Sequence, residues 1–347
     1  MHDEIVDEII IGAGPIGSYY ASQKNCLILE QKKMLEVGEP VQCTGLVSRN
    51  IEEFVKIPKS IIQNKIRGAI LHSPNNSVQV KKENVAYVIN RKKFDQYLLE
   101  KALENSKIMF GEQVKEYYKT KNYVQIRTEK NTYRTKKLID ASGPKTQKNF
   151  LMGLQITAKM EREPIAELFF GNEVCPEFFA WIVPENEEVC RIGVATRSPR
   201  IYLDKLLDKL GNPKILDWQG GIIPMHKPVL RGESETYLLG DRGGHVKPTT
   251  GGGLITGLKS AKLLAHSKNY EKEWNKTIGK ELLIHWRIRN FLDKINDEEL
   301  DELIELVKHL KPKLEKHGNM DYPSKFLTKL ITPKTIKFFA KNFSKII

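Results

Sequence analysis

The chain opens with residues whose types and spacing predict a site for a dinucleotide pyrophosphate. Gly12, Gly14 and Gly17 follow an apolar run that ends at Ile11, and Glu30 ends the next apolar run. In a strand–turn–helix unit, these glycines permit a tight turn, a close approach of the phosphates and close packing of helix on strand. Backbone N–H groups at the start of the helix then bind phosphate oxygens, while the carboxylate of Glu30 accepts hydrogen bonds from a ribose.

The elements that position these residues follow from the same stretch. Apolar residues 9–11 predict a first strand and residues 26–29 a second one, with a helix over residues 15–23 between them. The interval from Gly17 to Glu30 is short, so this helix has room for only about two to three turns. A phosphate site needs only the first turn of its helix, so the short helix is sufficient. This motif alone fits NAD as well as FAD.

A second strand, glycine loop and helix lie far along the chain. The run Tyr237-Leu238-Leu239 leads into Gly240-Asp241, a loop that closes with three glycines at 251–253, and an amphipathic pattern over residues 254–265. Asp241 can bind the hydroxyls of a ribityl chain, and the glycines can bring backbone N–H groups against a ring or phosphate. Two such units favour FAD, lying extended across a sheet, over NAD.

Length and composition bound the class of protein. A chain of 347 residues with 40% hydrophobic and 29% charged residues is typical of a soluble globular protein with two closely joined domains. No apolar run reaches the ~18 residues of a spanning helix, and the acidic first residues lead straight into a strand, unlike a signal peptide. The four cysteines have no metal-binding spacing, so we expect free thiols in a reducing cytoplasm. Cys175 and Cys190 should flank a hairpin without facing each other.

The net charge of +13 suggests a polyanionic partner, either a nucleic acid or an anionic membrane surface. The sequence contains no nucleic-acid-binding module, so we expect no nucleic-acid partner. The tail 323–347 has six lysines, no acidic residue after Asp321, and apolar residues at helical spacing that include Ile336, Phe343 and Ile346. This pattern predicts an interfacial segment, with Pro333 separating two short helices. The alternative is a terminal helix that packs its apolar face on the protein.

The pattern of elements predicts an α/β protein. Residues 1–150 and 231–268 are expected to form a discontinuous FAD-binding domain of Rossmann type, and residues 269–347 a helical region. Residues 151–230 are strand-rich and aromatic, which predicts an inserted antiparallel-sheet substrate domain. Within the first part, residues 51–90 are expected to form short strands with turns at Pro58, Asn75-Asn76 and Glu83-Asn84. Arg91 then begins a helix, where it can reach a phosphate or the flavin edge.

Four segments together resemble the geranylgeranyl reductase family, within the aromatic-hydroxylase branch of the glutathione-reductase-type flavoproteins. Residues 40–48, PVQCTGLVS, are similar to that family's Pro-x-x-Cys-Ala-Gly loop, and Arg91 with the residues after it matches Arg-x-x-Phe-Asp. Residues 179–184 are similar to Tyr-x-Trp-x-Phe-Pro. Residues 240–253 resemble its Gly-Asp and Lys-Pro-Thr-Thr-Gly-Gly-Gly segment.

The chain departs from this pattern at a few positions that face the expected site. Thr44 stands in place of an alanine, Phe179 in place of a tyrosine and Val183 in place of a phenylalanine. Arg242-Gly243 replaces two small alanines. The changes at Phe179 and Val183 alter the expected lining of the lipid site.

The resemblance implies FAD as cofactor and no metal. It implies that FAD contacts a set of residues spread over the two glycine-rich units and the loop between them: Gly12, Gly14, Ile16, Gly17, Glu30, Cys43, Thr44, Gly45, Arg91, Val114, Asp241, Gly252, Gly253 and Leu254. Val114 would meet the adenine through its backbone. Phe179 and Trp181 would line an isoprenoid cavity, and Cys43 is the candidate catalytic residue.

The resemblance also implies an activity: a FAD-dependent oxidoreductase that saturates C=C bonds of geranylgeranyl chains in membrane lipids or their precursors. Its partners would be an isoprenoid lipid, an external electron donor (NAD(P)H, reduced ferredoxin or deazaflavin) and an anionic membrane surface. The expected location is the cytoplasm, peripheral on the inner face of the cell membrane. The alternatives are a FAD-dependent monooxygenase on the same scaffold and a non-catalytic, flavin-bound membrane-associated protein.

Overall fold

The fold is described from a computed structural model, which describes residues 4–145 and 149–345. The strands are β1 (Ile5–Ile11), β2 (Leu27–Glu30), β3 (Leu46–Ser48), β4 (Ile62–His72), β5 (Ser77–Ile89), β6 (Lys107–Phe110), β7 (Val114–Lys119), β8 (Val124–Thr128), β9 (Thr132–Asp140), β10 (Phe150–Lys159), β11 (Ala166–Gly171), β12 (Cys175–Pro184), β13 (Val189–Thr196), β14 (Ile215–Pro224) and β15 (Tyr237–Leu238). The α-helices are α1 (Pro15–Ser22), α2 (Arg91–Leu103), α3 (Pro199–Lys209), α4 (Leu254–His266), α5 (Tyr270–Trp274), α6 (Lys280–Leu292), α7 (Asp297–His317) and α8 (Pro333–Lys341). Within the described residues, none of these helices combines the length and apolarity needed to cross a membrane.

The first sheet carries the N-terminal glycine motif. Its strands run in the order β6-β2-β1-β9-β8-β7, and β15 also pairs with β9. The pairs β6–β2, β2–β1, β1–β9 and β9–β15 are parallel, whereas β8 and β7 continue antiparallel. Ile9 and Ile10 are fully buried, because helices cover the parallel part of the sheet.

Helix α1 spans eight residues, which confirms the short helix predicted after the first glycine turn. Gly12 has φ +96°, a conformation that favours glycine. A Cβ placed on Gly17 would lie 2.1 Å from the carbonyl oxygen of Gly12. Only glycine at both positions lets α1 pack this closely on the end of β1.

The second sheet has eight strands in the order β14-β10-β13-β12-β11-β4-β5-β3. All its neighbours are antiparallel except β4 and β11. Strands β3, β4 and β5 therefore belong to this sheet, although we assigned their residues to the FAD-binding domain from sequence. Their long-range pairing explains the difference, since β4 bonds along the free edge of β11 and extends the sheet.

Residues 62–89 form two long strands, where short ones were predicted. The predicted turn at Asn75-Asn76 joins β4 to β5, but Glu83-Asn84 lies inside β5. Pairing passes from Ile66–Ala86 to Gly68–Lys81, so residues 82–85 bulge out opposite a single residue. Asn84 takes a positive φ of 50° in this bulge, which explains why its sequence is typical of a turn.

The hairpin of β12 and β13 confirms the prediction for its two cysteines. Pro184 pairs with Cys190, while Cys175 at the far end of β12 pairs with Gly171. The four cysteines form no disulfide within the described chain.

The C-terminal helices close one side of the second sheet. Asn275–Gly279 is a π-helical turn between α5 and α6, and α7 packs along β5. Pro333 begins α8, as predicted, but the residues before it form 3-10 turns at Pro323–Lys325 and Leu327–Leu330 where a first tail helix was expected. Ile346, part of the predicted tail pattern, lies outside the described residues.

Candidate functional site

The two glycine-rich units meet through Ile16 of α1. A Cβ on Gly240 would lie 3.1 Å from Cγ1 of Ile16, and a Cβ on Gly257 would lie 2.7 Å from its Cδ1. The missing side chains let α1 approach the loop after β15 and the first turns of α4. The starts of the two helices are thereby brought close together, and we call the space along them the groove.

At the first helix start, Gly14 caps α1 without any side-chain cap. A Cβ on Gly14 would meet no atom within 4 Å, so open space lies in front of this residue. The first N–H groups of a helix have no partner within the helix, and here the space before them is clear. This end of the groove fits a pyrophosphate.

Glu30 lies at the end of β2, beside the glycine turn. Its Oε2 accepts a hydrogen bond from the Ala13 N–H at 2.6 Å, and its Oε1 accepts one from the Lys32 N–H at 2.9 Å. The Glu30 carbonyl accepts from the Glu112 N–H at 2.8 Å, which places Val114, at the start of β7, next to the same end of the groove. The structure therefore brings together the two residues predicted for the ribose and the adenine.

The middle of the groove contains Arg91 and Asp241. Arg91, the first residue of α2, donates to both carboxylate oxygens of Asp95 at 3.2 Å. Burial works to lower the pKa of Arg91, but the charge of Asp95 outweighs it and the pKa is raised. Burial raises the pKa of the Asp241 carboxyl, and the charge of Arg91 opposes this shift.

Asp241 is the clearest sign that the middle of the groove fits a polyhydroxyl chain. Its carboxylate makes no hydrogen bond to any residue of the described ranges, and Oδ1 would lie 2.7 Å from a Cβ on Gly253. The residue is only partly buried, so its free carboxylate oxygens face space that a ligand can enter. The hydroxyls of a ribityl chain would supply the missing donors at the start of α4.

The loop of Cys43, Thr44 and Gly45 connects this groove to a cavity. Arg91 interacts with the thiol of Cys43, and the Cys43 Sγ accepts from the Gly45 N–H at 3.3 Å. Gly45 has φ +70°, and a Cβ on it would lie 2.4 Å from the carbonyl oxygen of Ile89. This loop conformation requires glycine at position 45.

The buried side chain of Arg191 also holds the loop of Cys43, Thr44 and Gly45 in place. Arg191 donates from Nη1 to the Thr44 carbonyl at 2.5 Å and from Nε to Glu185 at 2.7 Å. The Thr44 hydroxyl donates to Oε1 of Gln155 at 2.8 Å. Threonine in place of the expected alanine therefore adds a hydrogen bond between the loop and the second sheet.

The cavity, which we call the apolar cavity, has a volume of about 490 Å³ and lies against the second sheet. This size is within the range of about 300–1,000 Å³ that small-molecule sites occupy. Cys43, Thr44, Gly252 and Leu254 contribute to its wall, so it adjoins the start of α4. The rest of the wall is mostly aliphatic and aromatic, with Leu46, Ile66, Leu71, Val80, Leu168, Phe178, Phe179, Trp181, Val183, Ile223 and Leu314.

Phe179 and Trp181 both line this cavity. That it holds an isoprenoid, as the family resemblance implies, stays a prediction. Trp181 donates from Nε1 to Oε1 of Gln155 at 2.9 Å, which fixes its ring. A Cβ on Gly193 of the neighbouring strand would lie 2.4 Å from Cζ2 of Trp181, so glycine there makes room for the indole. Val183 is shorter than the expected phenylalanine and leaves this part of the cavity wider.

The sequence analysis missed a buried polar cluster behind the second glycine loop. Lys247 is ion-paired with Asp321, which also accepts from Ser48 and, at 2.7 Å, from Asn50. Burial works to raise the pKa of Asp321, but Lys247 and these donors lower it on balance. Thr249 and Nδ1 of His285 share a hydrogen bond at 2.6 Å, and burial lowers the pKa of His285 to about 4.

Sequence signals for these missed residues were weak. Lys247 stands inside the glycine-loop motif, and Gln155 is a polar residue in a buried strand. Asp321 is distinguished only as the last acidic residue of the chain. Arg242, noted as a departure, donates from Nε to Oδ2 of Asp140 at 2.7 Å, and this buried ion pair ties the loop after β15 to the end of β9.

No protein-family model matches the chain. A digeranylgeranylglycerophospholipid reductase of Methanococcus vannielii is 30% identical, over 88% of this chain and 91% of that protein. A protein of the same name from Methanocaldococcus jannaschii is 28% identical, over 97% of this chain and 98% of its own length.

Solved structures share the fold. A geranylgeranyl bacteriochlorophyll reductase-like protein from Thermoplasma acidophilum superposes with a TM-score of 0.83 and 21% identity, over 99% of this chain and 100% of that one. A mutant halogenase in complex with FAD superposes with a TM-score of 0.64 and 15% identity, over 97% of this chain and 90% of that one. These likenesses confirm the predicted fold class, a Rossmann-type α/β sheet joined to an antiparallel sheet.

Proposed function

Because the chain belongs to the digeranylgeranylglycerophospholipid reductase family, we propose that it is a FAD-dependent oxidoreductase that saturates C=C bonds of geranylgeranyl chains. The substrate would be a membrane lipid or its precursor. One observation carries the proposal. The wall of the apolar cavity includes Gly252 and Leu254, so a long apolar chain in it would lie against the site for the flavin ring.

FAD would lie along the groove between the two helix starts. The pyrophosphate would meet Gly14, the ribose Glu30, the adenine the backbone at Val114, and the ribityl chain Asp241. When bound in reduced form, FAD supplies a hydride to the substrate. In this arrangement the first sheet is the FAD-binding domain, the second sheet with β3–β5 is the substrate domain, and the C-terminal helices cover the second sheet.

The protein's own residues orient the alkene and keep water away from it. An isolated trisubstituted C=C bond is not polarised by a carbonyl, so hydride addition needs a proton at the less substituted carbon and a dry surrounding. The ring of Trp181, held by Gln155, and the neighbouring Phe179 would position the chain. Cys43 lies where the cavity meets the groove, so its thiol either donates this proton or packs beside the flavin and tunes it.

Replacing Cys43 tests whether its thiol takes part in turnover at all. Cys43→Ala should retain FAD, with an unchanged visible spectrum, and should reduce the lipid more slowly. The matched control is Cys190→Ala, which removes a thiol that lies inside the second sheet, away from the apolar cavity. Unchanged turnover in Cys43→Ala would leave this residue a packing role only.

The activity is tested on purified protein with the flavin first identified by absorption and then reduced anaerobically. A geranylgeranyl lipid should gain two hydrogens for each saturated bond, measured by mass spectrometry. Oxygen consumption that depends on NAD(P)H and substrate would instead favour a monooxygenase. Reduction of the bound flavin by NAD(P)H, reduced ferredoxin or deazaflavin, tried separately, identifies the class of donor.

We also propose that the C-terminal segment docks the protein on an anionic membrane surface. Ile331, Ile336 and Phe343 are each about 60% exposed, while Phe338 of the same segment is buried against Phe291. The segment thus packs one face on the protein and leaves other apolar side chains outside.

Ion pairs within the protein weaken the electrostatic attraction of this segment to an anionic membrane, compared with six unpaired lysines. Lys341 is 2.6 Å from Glu302, and Lys345 is ion-paired with Glu299. Each lysine near an anionic surface contributes about 1 kcal/mol when it is not neutralised. Apolar insertion and the remaining lysines would have to act together.

Vesicle binding tests the docking surface without removing the packed helix. Ile336→Ser combined with Phe343→Ser should reduce salt-sensitive co-sedimentation with anionic vesicles. Ile201→Ser, an exposed apolar residue on α3, is the matched control and should bind as the wild type does. Equal binding by both variants would contradict docking through the tail.

A further inference from the structure

Gln155 is a polar residue on β10, in a part of the apolar cavity wall that is otherwise mostly aliphatic and aromatic. It is only 4% exposed. A buried amide is stable only when its polar atoms are hydrogen-bonded, whereas a leucine at this position would need no such partners. The partners of Gln155 therefore indicate what this residue does.

The carboxamide oxygen of Gln155 accepts two hydrogen bonds from different parts of the molecule. The Thr44 hydroxyl donates to Oε1 at 2.8 Å, and Nε1 of Trp181 donates to the same atom at 2.9 Å. Thr44 belongs to the loop that connects the groove to the cavity, whereas Trp181 lies on β12 in the cavity wall. One atom thus joins the loop of Cys43 to an aromatic ring of the substrate domain.

The chemistry of the partners fixes the orientation of this amide. An indole N–H can only donate, so the atom that faces Trp181 is the oxygen. Nε2 of Gln155 then donates to Oε1 of Gln219, and Nε2 of Gln219 donates to Asp217 at 3.1 Å. An ionised carboxylate can only accept, so both amides between Trp181 and Asp217 have a single orientation that satisfies every bond.

Arg191 holds the same loop separately, through the carbonyl of Thr44. The Gly45 carbonyl also accepts from the Ile89 N–H at 2.9 Å. The loop should therefore remain folded, although less firmly held, when the Thr44 hydroxyl is removed. Thr44→Val is for this reason a mild test of the bond to Gln155.

We propose that Gln155 is a positioning residue for the reduction. By binding Thr44 and Trp181 through one oxygen, it fixes the ring that lies against the substrate chain relative to the Cys43 loop, where the cavity adjoins the flavin site. Transfer of a hydride requires reacting atoms about 3–3.5 Å apart, so a small shift of the chain slows it. The inference rests on the proposed function, because it needs an isoprenoid chain in the apolar cavity.

Turnover of a geranylgeranyl glycerol ether by the FAD-loaded enzyme is the first test. Gln155→Met and Thr44→Val should each lower kcat about fivefold and leave KM within about twofold of wild type, because the chain still binds but its C=C bond is less well placed. Thr44→Ser keeps the hydroxyl and should turn over as wild type does. The double variant should be no slower than Gln155→Met alone, since both changes break the same bond.

Alkylation of Cys43 by iodoacetamide, measured without lipid on the protein as purified, is the second test. Cys43 is partly exposed, whereas Cys26, Cys175 and Cys190 are buried. Gln155→Met and Thr44→Val should each speed the alkylation of Cys43 about threefold, because the loop opens more often when it loses one hydrogen bond. Alkylation of the three buried thiols, followed by mass spectrometry, would reveal any general loosening of the fold.

Thr196→Val is the matched control for a lost threonine hydroxyl in the same sheet. Thr196 is 2% exposed on β13, donates to Glu177 at 3.0 Å and, within the described chain, lies outside the wall of the apolar cavity. Its loss should change neither kcat nor the alkylation of Cys43. An effect of Thr196→Val equal to that of Thr44→Val would reduce Gln155 to a structural residue and overturn the proposal.

The two tests also separate this proposal from the proposed function. If wild type reduces the ether but Gln155→Met keeps the wild-type kcat, the positioning role is wrong. It is also wrong if Gln155→Met raises KM alone, since Gln155 would then contribute only to binding. If no variant and not even wild type reduces the ether, but Gln155→Met and Thr44→Val still speed the alkylation of Cys43, the proposed function fails while the link through Gln155 stands.

Discussion

The two glycine-rich loops are placed at similar helix starts but are held in different ways. The first, residues 12–17, is fixed by backbone contacts close by: the Gly12 N–H donates to the Leu29 carbonyl at 2.9 Å, and Gly17 packs on Gly12. The second, residues 247–253, is fixed by side chains from the C-terminal part of the chain. Lys247 is paired with Asp321, and Thr249 is bonded to His285.

The same type of glycine-rich loop can therefore be held either by local backbone contacts or by side chains from distant parts of the chain. The first loop needs only the strand and helix on either side of it, so its local sequence is sufficient to predict it. The second loop adjoins the apolar cavity. The contacts that hold it, Lys247 with Asp321 and Thr249 with His285, place charged and polar groups in the protein interior. Such groups are stable only while every partner is present. Substitutions in the two loops should therefore affect stability and cofactor binding in separable ways.

The largest effect is expected at Gly17. Gly17→Val would place a Cβ 2.1 Å from a backbone oxygen, so α1 would have to leave β1. We expect the free energy of unfolding of the flavin-free protein to fall by more than about 5 kcal/mol, at the upper end of single substitutions. Urea denaturation measures this loss, and a folded variant of near-normal stability would refute the close packing.

The next largest loss of stability is expected when the Lys247–Asp321 ion pair that holds the second loop is broken. Lys247→Met leaves the Asp321 carboxylate buried without its cation, which should cost about 3–5 kcal/mol. Combining it with Asp321→Leu should recover part of the loss. The matched control is Lys136→Met, whose exposed partner Asp7 remains in water. Equal stability of the two lysine variants would show that the second loop does not depend on its ion pair.

Acid should weaken the second loop through His285. Burial lowers the pKa of this histidine from 6.5 to about 4. Between these two pH values the imidazole is therefore protonated in the unfolded chain and neutral in the folded protein. The contribution of His285 to the free energy of unfolding is complete above pH 6.5 and is lost as the pH falls toward 4. Between pH 7 and 5 this loss is about 2 kcal/mol.

The check compares urea unfolding at the two pH values. His285→Asn should depend on pH less steeply than wild type by about 2 kcal/mol, while His309→Asn, at an exposed histidine, should match wild type. An unchanged pH dependence in His285→Asn would mean that folding does not shift the pKa of this imidazole.

The smallest effect on stability, and the sharpest on the cofactor, is expected at Gly14. A side chain there meets no protein atom within 4 Å, so Gly14→Val should change the stability of the flavin-free protein by less than about 0.5 kcal/mol. The same side chain would occupy the space for the pyrophosphate and should yield protein without flavin. A yellow variant with normal FAD content would contradict this placement.

The fold and site were predictable where local spacing determines geometry. The glycine turn, the short α1 and the β12–β13 hairpin could be inferred from local sequence, whereas the aromatic wall at Phe179 and Trp181 was implied only by the family resemblance. What could not be inferred depends on partners distant in sequence: the pairing of β4 with β11, the bulge at Asn84 and the cluster around Asp321. Nothing near Asp321 in sequence indicates that Ser48, Asn50 and Lys247 will surround it, because that arrangement exists only once the chain has folded.

Asp321 also has a consequence for the order of events on the ribosome. The chain emerges from its N-terminus, so the first glycine loop and strands β1, β2 and β9 are made first, and β15 with the second glycine loop follows. The apolar cavity still lacks part of its wall then, because Leu314, Met320 and Phe326 are synthesised much later. Domains generally fold as units during synthesis. The nascent protein therefore passes through a stage in which the apolar cavity is open and its apolar side chains are exposed to water.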